Sequence, residues 1–178
     1  MKSTLKLVLP SKKYINEIVA YKNEFDNNES IHGSAGLSNF DDISDWLKKI
    51  NDSRHGKNLE HNHVPSTCFL TIRVLDNKII GSVDIRHYLN ENLEKFGGHI
   101  GYAIRPSERK KGYATEQLRL ALLKCLKMNV YKVLVTCNKS NVGSRKTILN
   151  NGGVFHSELM EGTEKNYNIV ERYWIHLR

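Results

Sequence analysis

The chain has 178 residues and a formal net charge of +8, and 39% of its residues are hydrophobic. This length supports a single domain with a proper core, and the composition is that of a globular protein. No apolar run is long enough to cross a bilayer, and the apolar part of the N-terminal segment is too short for a secretory signal. We therefore expect a cytoplasmic protein.

The positive charge is scattered along the chain, apart from one cluster between Arg105 and Lys111. No predicted helix carries a continuous basic stripe with interleaved aromatic residues, which is the pattern that follows a nucleic-acid backbone. A local basic cluster fits a small polyanion better. Neither nucleic acid nor a membrane is expected as a partner.

Cysteine and histidine spacing does not indicate a metal site. Cys68, Cys125 and Cys137 stand in apolar surroundings without a C-x-x-C pair, so we expect buried, reduced thiols. A second group of candidate ligands lies in a polar loop and consists of His55, Glu60, His61 and His63. Without cysteine partners or helical H-x-x-x-H spacing, this group is interpreted as incidental.

The first 66 residues predict one strand, two helices and two long polar loops. The predicted elements are a strand over 5–9, a helix over 11–25 and a helix from 41 or 42 to 50. Ile15, Ile18 and Val19 are expected on the inner side of the first helix. Long loops around one small helix suggest a substrate-facing edge.

From Thr67 onward the pattern changes to β. The predicted elements are strands over 67–75, 79–89, 99–105, 131–137, 154–160 and 169–177, and helices over 113–128 and 141–150. Segments 90–98 and 161–168 are expected to be turns or links. The strand, helix and strand between 99 and 137 indicate a right-handed parallel crossover.

A basic turn separates the strand over 99–105 from the helix that follows. The sequence Arg109-Lys110-Lys111-Gly112 precedes the helix, whose first N–H groups have no helical acceptor. Such a turn predicts a site for phosphate or pyrophosphate. A dinucleotide fingerprint would need three glycines here, and the P-loop-like sequence Gly143-Ser144-Arg145-Lys146-Thr147 lacks the second glycine before its lysine, so neither motif fits.

The segment Arg109-Lys110-Lys111-Gly112-Tyr113-Ala114 resembles the acetyl-CoA-binding signature of the GNAT superfamily of N-acetyltransferases, which is Arg or Gln, two residues, Gly, any residue, then Gly or Ala. The preceding stretch 101–106 is similar to the strand that enters this turn in the family. The stretch 136–153 resembles the strand, asparagine, helix and glycine that follow it. The matched core covers about 99–153.

This resemblance implies an α/β (α+β) fold with a mixed, mostly antiparallel sheet of about seven strands, flanked by about four helices and splayed at a central parallel pair. It implies a single acetyltransferase domain over 1–178, with an acceptor-side part over 1–66 and the sheet and acetyl-CoA-binding core over 67–178. The implied co-substrate is acetyl-CoA, without a metal, and the implied partner is a small-molecule or peptide amine. A homodimer is left open.

The family's cofactor-binding positions correspond to Ile104, Arg109, Lys110, Lys111, Gly112, Tyr113, Ala114 and Asn141. The backbone amide near Ile104 would polarise the thioester carbonyl. His99 is the first candidate for the general base, because relatives often have a glutamate here and histidine accepts protons at neutral pH. Asp84, His87 and Glu158 are the alternatives.

The general acid is where the sequence departs from the family. Many relatives carry a tyrosine seven residues after the asparagine, and this chain has Ile148 there. A water molecule, Tyr167 or Tyr173 would have to replace it. The alternative function is therefore a catalytically silent CoA-binding or regulatory module, and the loops over 26–66 carry no motif that names an acceptor.

Overall fold

A computed structural model describes residues 4–26, 29–163 and 165–178. The strands are β1 (Leu5–Val8), β2 (Ser66–Arg73), β3 (Ile79–Arg86), β4 (Ile100–Ile104), β5 (Lys132–Asn138), β6 (Val154–Thr163) and β7 (Asn166–His176). The helices are α1 (Ile15–Lys22), α2 (Ile43–Arg54), α3 (Tyr113–Lys127) and α4 (Val142–Asn150). None of the helices within the described ranges is long and apolar enough to cross a membrane.

The strands form two antiparallel sheets, ordered β1-β2-β3-β4 and β5-β7-β6. In the first sheet Cys68 pairs with Asp84, which in turn pairs with Gly101. Since side chains alternate across a strand, these three positions share one face of the sheet. It is the face covered by α1 and α2, because Cys68 belongs to the same buried cluster as residues of both helices.

In the described chain no ladder joins β4 to β5, so the two sheets separate along this line. They remain connected just before β4, where His99 N–H donates to the Leu134 carbonyl over 2.7 Å. The predicted α/β fold of about seven strands with flanking helices is confirmed; within the described residues the strands form antiparallel sheets of four and three. The opening between β4 and β5 is the wedge in which a ligand can reach backbone groups of both sheets.

The two larger apolar cores among the described residues hold these layers together. In one of them, Leu118, Ala121 and Cys125 of α3 pack on the face of the first sheet opposite α1 and α2. The other core lies beneath α1 and α2. There Val19 is 39% exposed, and its predicted inward position is wrong because the inner line of α1 runs through Ile18 and Tyr21.

Several segment boundaries also differ from the prediction. Helix α1 ends at Lys22 rather than near 25, and the predicted turn over 90–98 contains a π-helix at Leu93–Gly97. Strands β6 and β7 extend toward each other, so that Glu161 pairs with Asn168 where the sequence predicts a link. Pairing between the two strands satisfies backbone groups that a polar composition alone assigns to a loop.

Candidate functional site

The basic turn adopts a conformation that the sequence anticipates only in part. A short 3-10 turn, Pro106–Glu108, leads into Lys110 with φ of 62° and Gly112 with φ of 81°, and α3 then begins at Tyr113. A Cβ atom on Gly112 would meet nothing within 4 Å. Glycine is therefore favoured here by its left-handed backbone and not by crowding within the protein.

The three cations of this turn are not equally available. Lys111 bonds to Glu108, and the Arg109 guanidinium pairs with Glu29 and donates to the Ile104 carbonyl over 3.1 Å. Within the described residues, Lys110 has no side-chain partner. Two of the three charges are therefore neutralised, Lys111 by Glu108 three residues before it and Arg109 by Glu29, which is distant in sequence.

Glu108 is the buried centre of this arrangement. Its carboxylate lies 3.0 Å from both Arg73 and Lys78 and 2.9 Å from Lys111. Burial alone would raise the pKa of Glu108, but hydrogen bonds from Lys111, Lys78 and Arg73 outweigh it and lower the pKa to about 2. These contacts attach the turn to Arg73 at the end of β2 and to Lys78 just before the start of β3.

A cavity of about 580 Å³, here called the first cavity, lies over this turn and the start of α4. All but one of the sequence-predicted cofactor residues line it: Ile104, Arg109, Lys110, Gly112, Tyr113, Ala114 and Asn141. The exception is Lys111, whose ammonium faces Glu108 and the Ser107 carbonyl. The predicted set is thus brought together in one place, with Lys111 outside it.

Asn141 forms the N-terminal cap of α4, since its Oδ1 accepts from the Ser144 N–H over 3.0 Å. This bond uses one lone pair of Oδ1, so the second lone pair and the Nδ2 group remain for a ligand. The structural role of a cap and the predicted role in cofactor binding are compatible.

The backbone of β4 presents amides to the wedge. Arg105 N–H donates to the Ile80 carbonyl over 2.8 Å, which directs it toward β3. Successive N–H groups of a strand point in opposite directions, so the Ile104 and Tyr102 amides point away from β3, toward the separation from β5. Contact of the Ile104 amide with a thioester carbonyl stays a prediction.

A second cavity of about 550 Å³ adjoins the first. Four residues line both cavities: His32, Tyr102, Asn141 and Ser144. Here the Tyr102 and Ser144 hydroxyls lie 2.7 Å apart, and burial raises the pKa of Tyr102 to about 12. A protonated hydroxyl pair therefore stands at the boundary between the two cavities.

His99, the first candidate for the base, is buried at the point where the sheets meet. Its Nδ1 accepts from the Leu134 N–H over 2.9 Å, and burial lowers its pKa to about 4. It is not among the residues that line the second cavity. These contacts give His99 a cross-sheet role, and its role as the base stays a prediction.

The alternative bases are dispersed. Asp84 is buried, His87 bonds to the Thr67 hydroxyl over 2.9 Å, and Glu158 pairs with Lys139 at 2.9 Å on the exposed face of β6. None of the three lines the second cavity. The carboxylate that does line it is Glu161, in the segment that the sequence assigns to a link.

The candidates for a general acid can also be placed. Ile148 is fully buried in the core beneath α3 and α4, so this position offers only packing. Tyr167 is 52% exposed, and the Tyr173 hydroxyl donates to Glu171 over 2.8 Å, away from both cavities. The hydroxyls of Tyr102 and Ser144, in contrast, lie at the boundary between the two cavities, where a general acid is needed.

The histidine-rich loop borders a third cavity of about 460 Å³, which shares Arg86, Asn92 and Leu93 with the second. There Glu60 pairs with Lys49 over 3.1 Å. Among residues 4–26, 29–163 and 165–178, no group of three His, Cys, Asp or Glu side chains is arranged to hold a metal.

A family model described as an acetyltransferase (GNAT) domain matches residues 12–154. The chain belongs to the GNAT family. GNAT membership makes it an acyltransferase that uses acetyl-CoA as its co-substrate, as the resemblance of the basic turn implies. No match was found among curated protein sequences.

Solved structures share the GNAT fold at low sequence identity. An acetyltransferase of the GNAT family from Bacillus anthracis is 18% identical, with a TM-score of 0.67 over 98% of this chain and 95% of that one. RimL, a ribosomal L7/L12 alpha-N-protein acetyltransferase in complex with coenzyme A, is 13% identical, with a TM-score of 0.67 over 99% and 96%. Mutant forms of the spermidine/spermine N-acetyltransferase SpeG from Vibrio cholerae are 16% identical, with a TM-score of 0.63 over 97% and 94%.

Sequence reasoning missed the groups that line the GNAT wedge on the side away from the basic turn. Ser144 carries a signal in hindsight, because it follows Asn141 by three residues and so lies in the first turn of α4. Arg86 and Glu161 carry none, since they come from strands whose meeting is set by the tertiary fold.

Proposed function

We propose that the protein transfers the acetyl group of acetyl-CoA directly to an amine held in the second cavity, within a ternary complex. The observation that carries this proposal is the junction of the two cavities at Tyr102 and Ser144. Donor and acceptor entering from opposite sides would meet there, without an acetylated enzyme between them.

On the donor side, the diphosphate of CoA would bind the amides of the turn before α3, with Lys110 as the available cation. Arg109 can join it by exchanging Glu29 for phosphate. The pantetheine arm of CoA would run toward Tyr102 along the edge of β4 that faces the wedge. The amides of Ile104 and Tyr102 would donate to this arm and to the thioester carbonyl, on which negative charge develops.

On the acceptor side, the amine must lose a proton before it can attack. An alkylamine with a pKa near ~10.4 is only about 0.04% neutral at pH 7, so a base is needed to take up the proton. Glu161 is the carboxylate that lines the second cavity, and we assign it this role ahead of His99. The nitrogen lone pair forms the new C–N bond while the C–S bond breaks, and the nitrogen then gives up its second proton to the hydroxyl pair of Tyr102 and Ser144.

The leaving thiolate then takes a proton. The Ser144 hydroxyl is the nearest candidate donor, backed by the Tyr102 hydroxyl at 2.7 Å. A thiol with a pKa near ~8.5 leaves tolerably without an acid, so this pair would accelerate the step rather than be essential to it.

The acceptor is an amine, and the related structures show how varied that class is: RimL is named for a ribosomal protein and SpeG for spermidine and spermine. A panel that includes amino acids, polyamines, aminoglycosides and peptides should be assayed for thiol release from acetyl-CoA, with calorimetry for cofactor binding. Amine-dependent thiol release supports the proposal. Binding of acetyl-CoA without turnover of any amine would favour the silent module.

A further inference from the structure

The second cavity carries one full charge of each sign among the described residues that line it. The cation is Arg86 on β3, and the anion is Glu161 on β6. The remaining lining groups are amides, hydroxyls, a thiol, a histidine and apolar groups. A cavity with this pattern complements a ligand that is itself positive at one end and negative at the other.

The Arg86 guanidinium is fixed by hydrogen bonds, but not all of its N–H donors have a partner. Its Nη1 donates to the Gly97 carbonyl over 2.9 Å and to the Gly98 carbonyl over 3.2 Å. Its Nη2 makes no hydrogen bond within the described part of the chain. Arginine carries five N–H donors in a planar fork, so a fixed side chain with a free Nη2 is preorganised for an oxyanion.

The charge of Arg86 is only partly compensated from inside the protein. The nearest carboxylate is Asp84, whose Oδ2 lies 3.9 Å from Arg86 Nε, beyond hydrogen-bond distance. Burial raises the pKa of Asp84, which weakens it further as a counter-ion, and burial lowers the pKa of Arg86. An external anion would therefore gain more here than at an exposed cation.

We propose that Arg86 anchors an anionic group of the acceptor, so that the acceptor is a small amine bearing a carboxylate or phosphate. This rests on the proposed acetyl transfer, and it names the acceptor class for the same site. Glu161 would draw the ammonium end while Arg86 holds the anionic end. The two charges fix which end of the acceptor faces the thioester.

The position of Arg86 also limits the length of the acceptor. A Cβ atom on Gly101 would lie 3.4 Å from Arg86 Nη2, so the guanidinium lies over that residue. Tyr102 is the next residue of β4, and a strand advances about 3.3 Å per residue. An anion on Nη2 would thus lie one or two residue lengths from the Tyr102 backbone amide, a proposed donor to the thioester carbonyl, which fits a short amino acid or a peptide N-terminus with an acidic side chain.

The first test compares matched amines with the wild-type protein and acetyl-CoA. The pairs are L-alanine with L-alaninamide, Asp-Ala amide with Asn-Ala amide, and phosphoethanolamine with ethanolamine. They distinguish a free amino acid, a peptide and a phosphate as the source of the anion. We expect kcat/KM to favour the anionic member of at least one pair by about 10- to 100-fold, as for a charge-assisted hydrogen bond. Equal use of both members in every pair, or a preference for spermidine over all of them, would overturn the inference while leaving amine acetylation intact.

The second test changes the anchor itself. Arg86→Gln should abolish the preference for the anionic amine, and Arg86→Lys should retain part of it, because the charge remains while the fork is lost. Lys57→Gln is the matched control, since it removes a cation that lines only the third cavity. A general loss of activity at unchanged selectivity would show that Arg86 only supports the Gly97 and Gly98 carbonyls, and would overturn the assignment.

A binding measurement separates this inference from the proposed function. Calorimetry with the CoA-loaded protein reports whether the anionic member of each pair binds more tightly than its neutral partner, whether or not acetyl transfer follows. If no amine is acetylated but the anionic member binds selectively, the proposed function fails and the anchor stands. If the anionic member binds no more tightly than its neutral partner, the assignment of Arg86 as the anion anchor is wrong as well.

Discussion

The Tyr102 hydroxyl lies 2.7 Å from the Ser144 hydroxyl, at the place where the first and second cavities meet. Tyr102 comes from β4 and Ser144 from the first turn of α4, so the contact spans the wedge between the two sheets. Both cavities open onto this pair of hydroxyls. One hydroxyl can therefore give a proton to the CoA thiolate as it leaves, while the amine is still bound in the second cavity.

Replacement of Ser144 by alanine should slow the chemical step. We expect kcat to fall about 10- to 100-fold, since positioned acids contribute at least this much and the thiolate still leaves unaided. The KM for acetyl-CoA should change little. Steady-state kinetics measures both, and Ser44→Ala, at the start of α2 and outside the three cavities, is the control. An unchanged kcat would remove the hydroxyl pair from the mechanism.

The backbone of Gly112 provides a second test, with an internal control. Gly112 and Gly152 both have φ of 81°, and a Cβ atom on either would meet nothing within 4 Å. Aspartate at either position pays the same left-handed strain, on the order of 1–2 kcal/mol. Only Gly112→Asp should weaken acetyl-CoA binding, by more than about 10-fold, because its carboxylate would face the diphosphate. Equal Kd values for the two variants in calorimetry would show that the turn does not bind the cofactor.

The base can be tested with two glutamates of one strand. Glu161 lines the second cavity, whereas Glu158 pairs with Lys139 outside it. Glu161→Gln should lower kcat/KM for the amine about 100-fold at pH 7, the usual scale for a lost base, and Glu158→Gln should stay within about twofold of wild type. Thiol release over a pH range checks both. A larger loss of kcat/KM in Glu158→Gln than in Glu161→Gln would instead support a base among the candidates predicted from the sequence.

His99 makes a prediction about stability. Its pKa of about 4 lies below the ordinary value near ~6.5, so the unfolded chain binds more protons between these values and the folded state loses stability as the pH falls through them. From pH 7.5 to 5.0 this amounts to about 2 kcal/mol. Urea unfolding at both pH values should show a smaller pH-dependent loss for His99→Gln by this amount. An equal loss in both proteins would mean that His99 titrates normally.

The sequence predicted the local structure of the basic turn and of the start of α4, because its determinants are adjacent residues. Gly112, the start of α3 and Asn141 follow from the turn and cap chemistry of adjacent residues. The fate of Lys111 was not predictable, because its partner Glu108 is held in place by Arg73 and Lys78, some 30 or more residues away in the chain.

The acceptor side was largely invisible to sequence for the same physical reason. Arg86 and Glu161 come from strands in different sheets and line one cavity only after the sheets have met. Polar residues around Glu161 were predicted as a link, since composition cannot show that two polar segments pair as strands. His99 was predicted from its place in the motif, which carries no information about its bond to Leu134.

The central claim is direct transfer of acetyl to an amine at the junction of the two cavities. Its most direct test is an initial-rate study with acetyl-CoA and the best amine of the panel, combined with mass spectrometry of the amine and of the intact protein. Direct transfer predicts intersecting double-reciprocal lines, an acetylated amine and an enzyme of unchanged mass. Parallel lines with an acetylated enzyme, or bound acetyl-CoA with no acetylated amine, would contradict it.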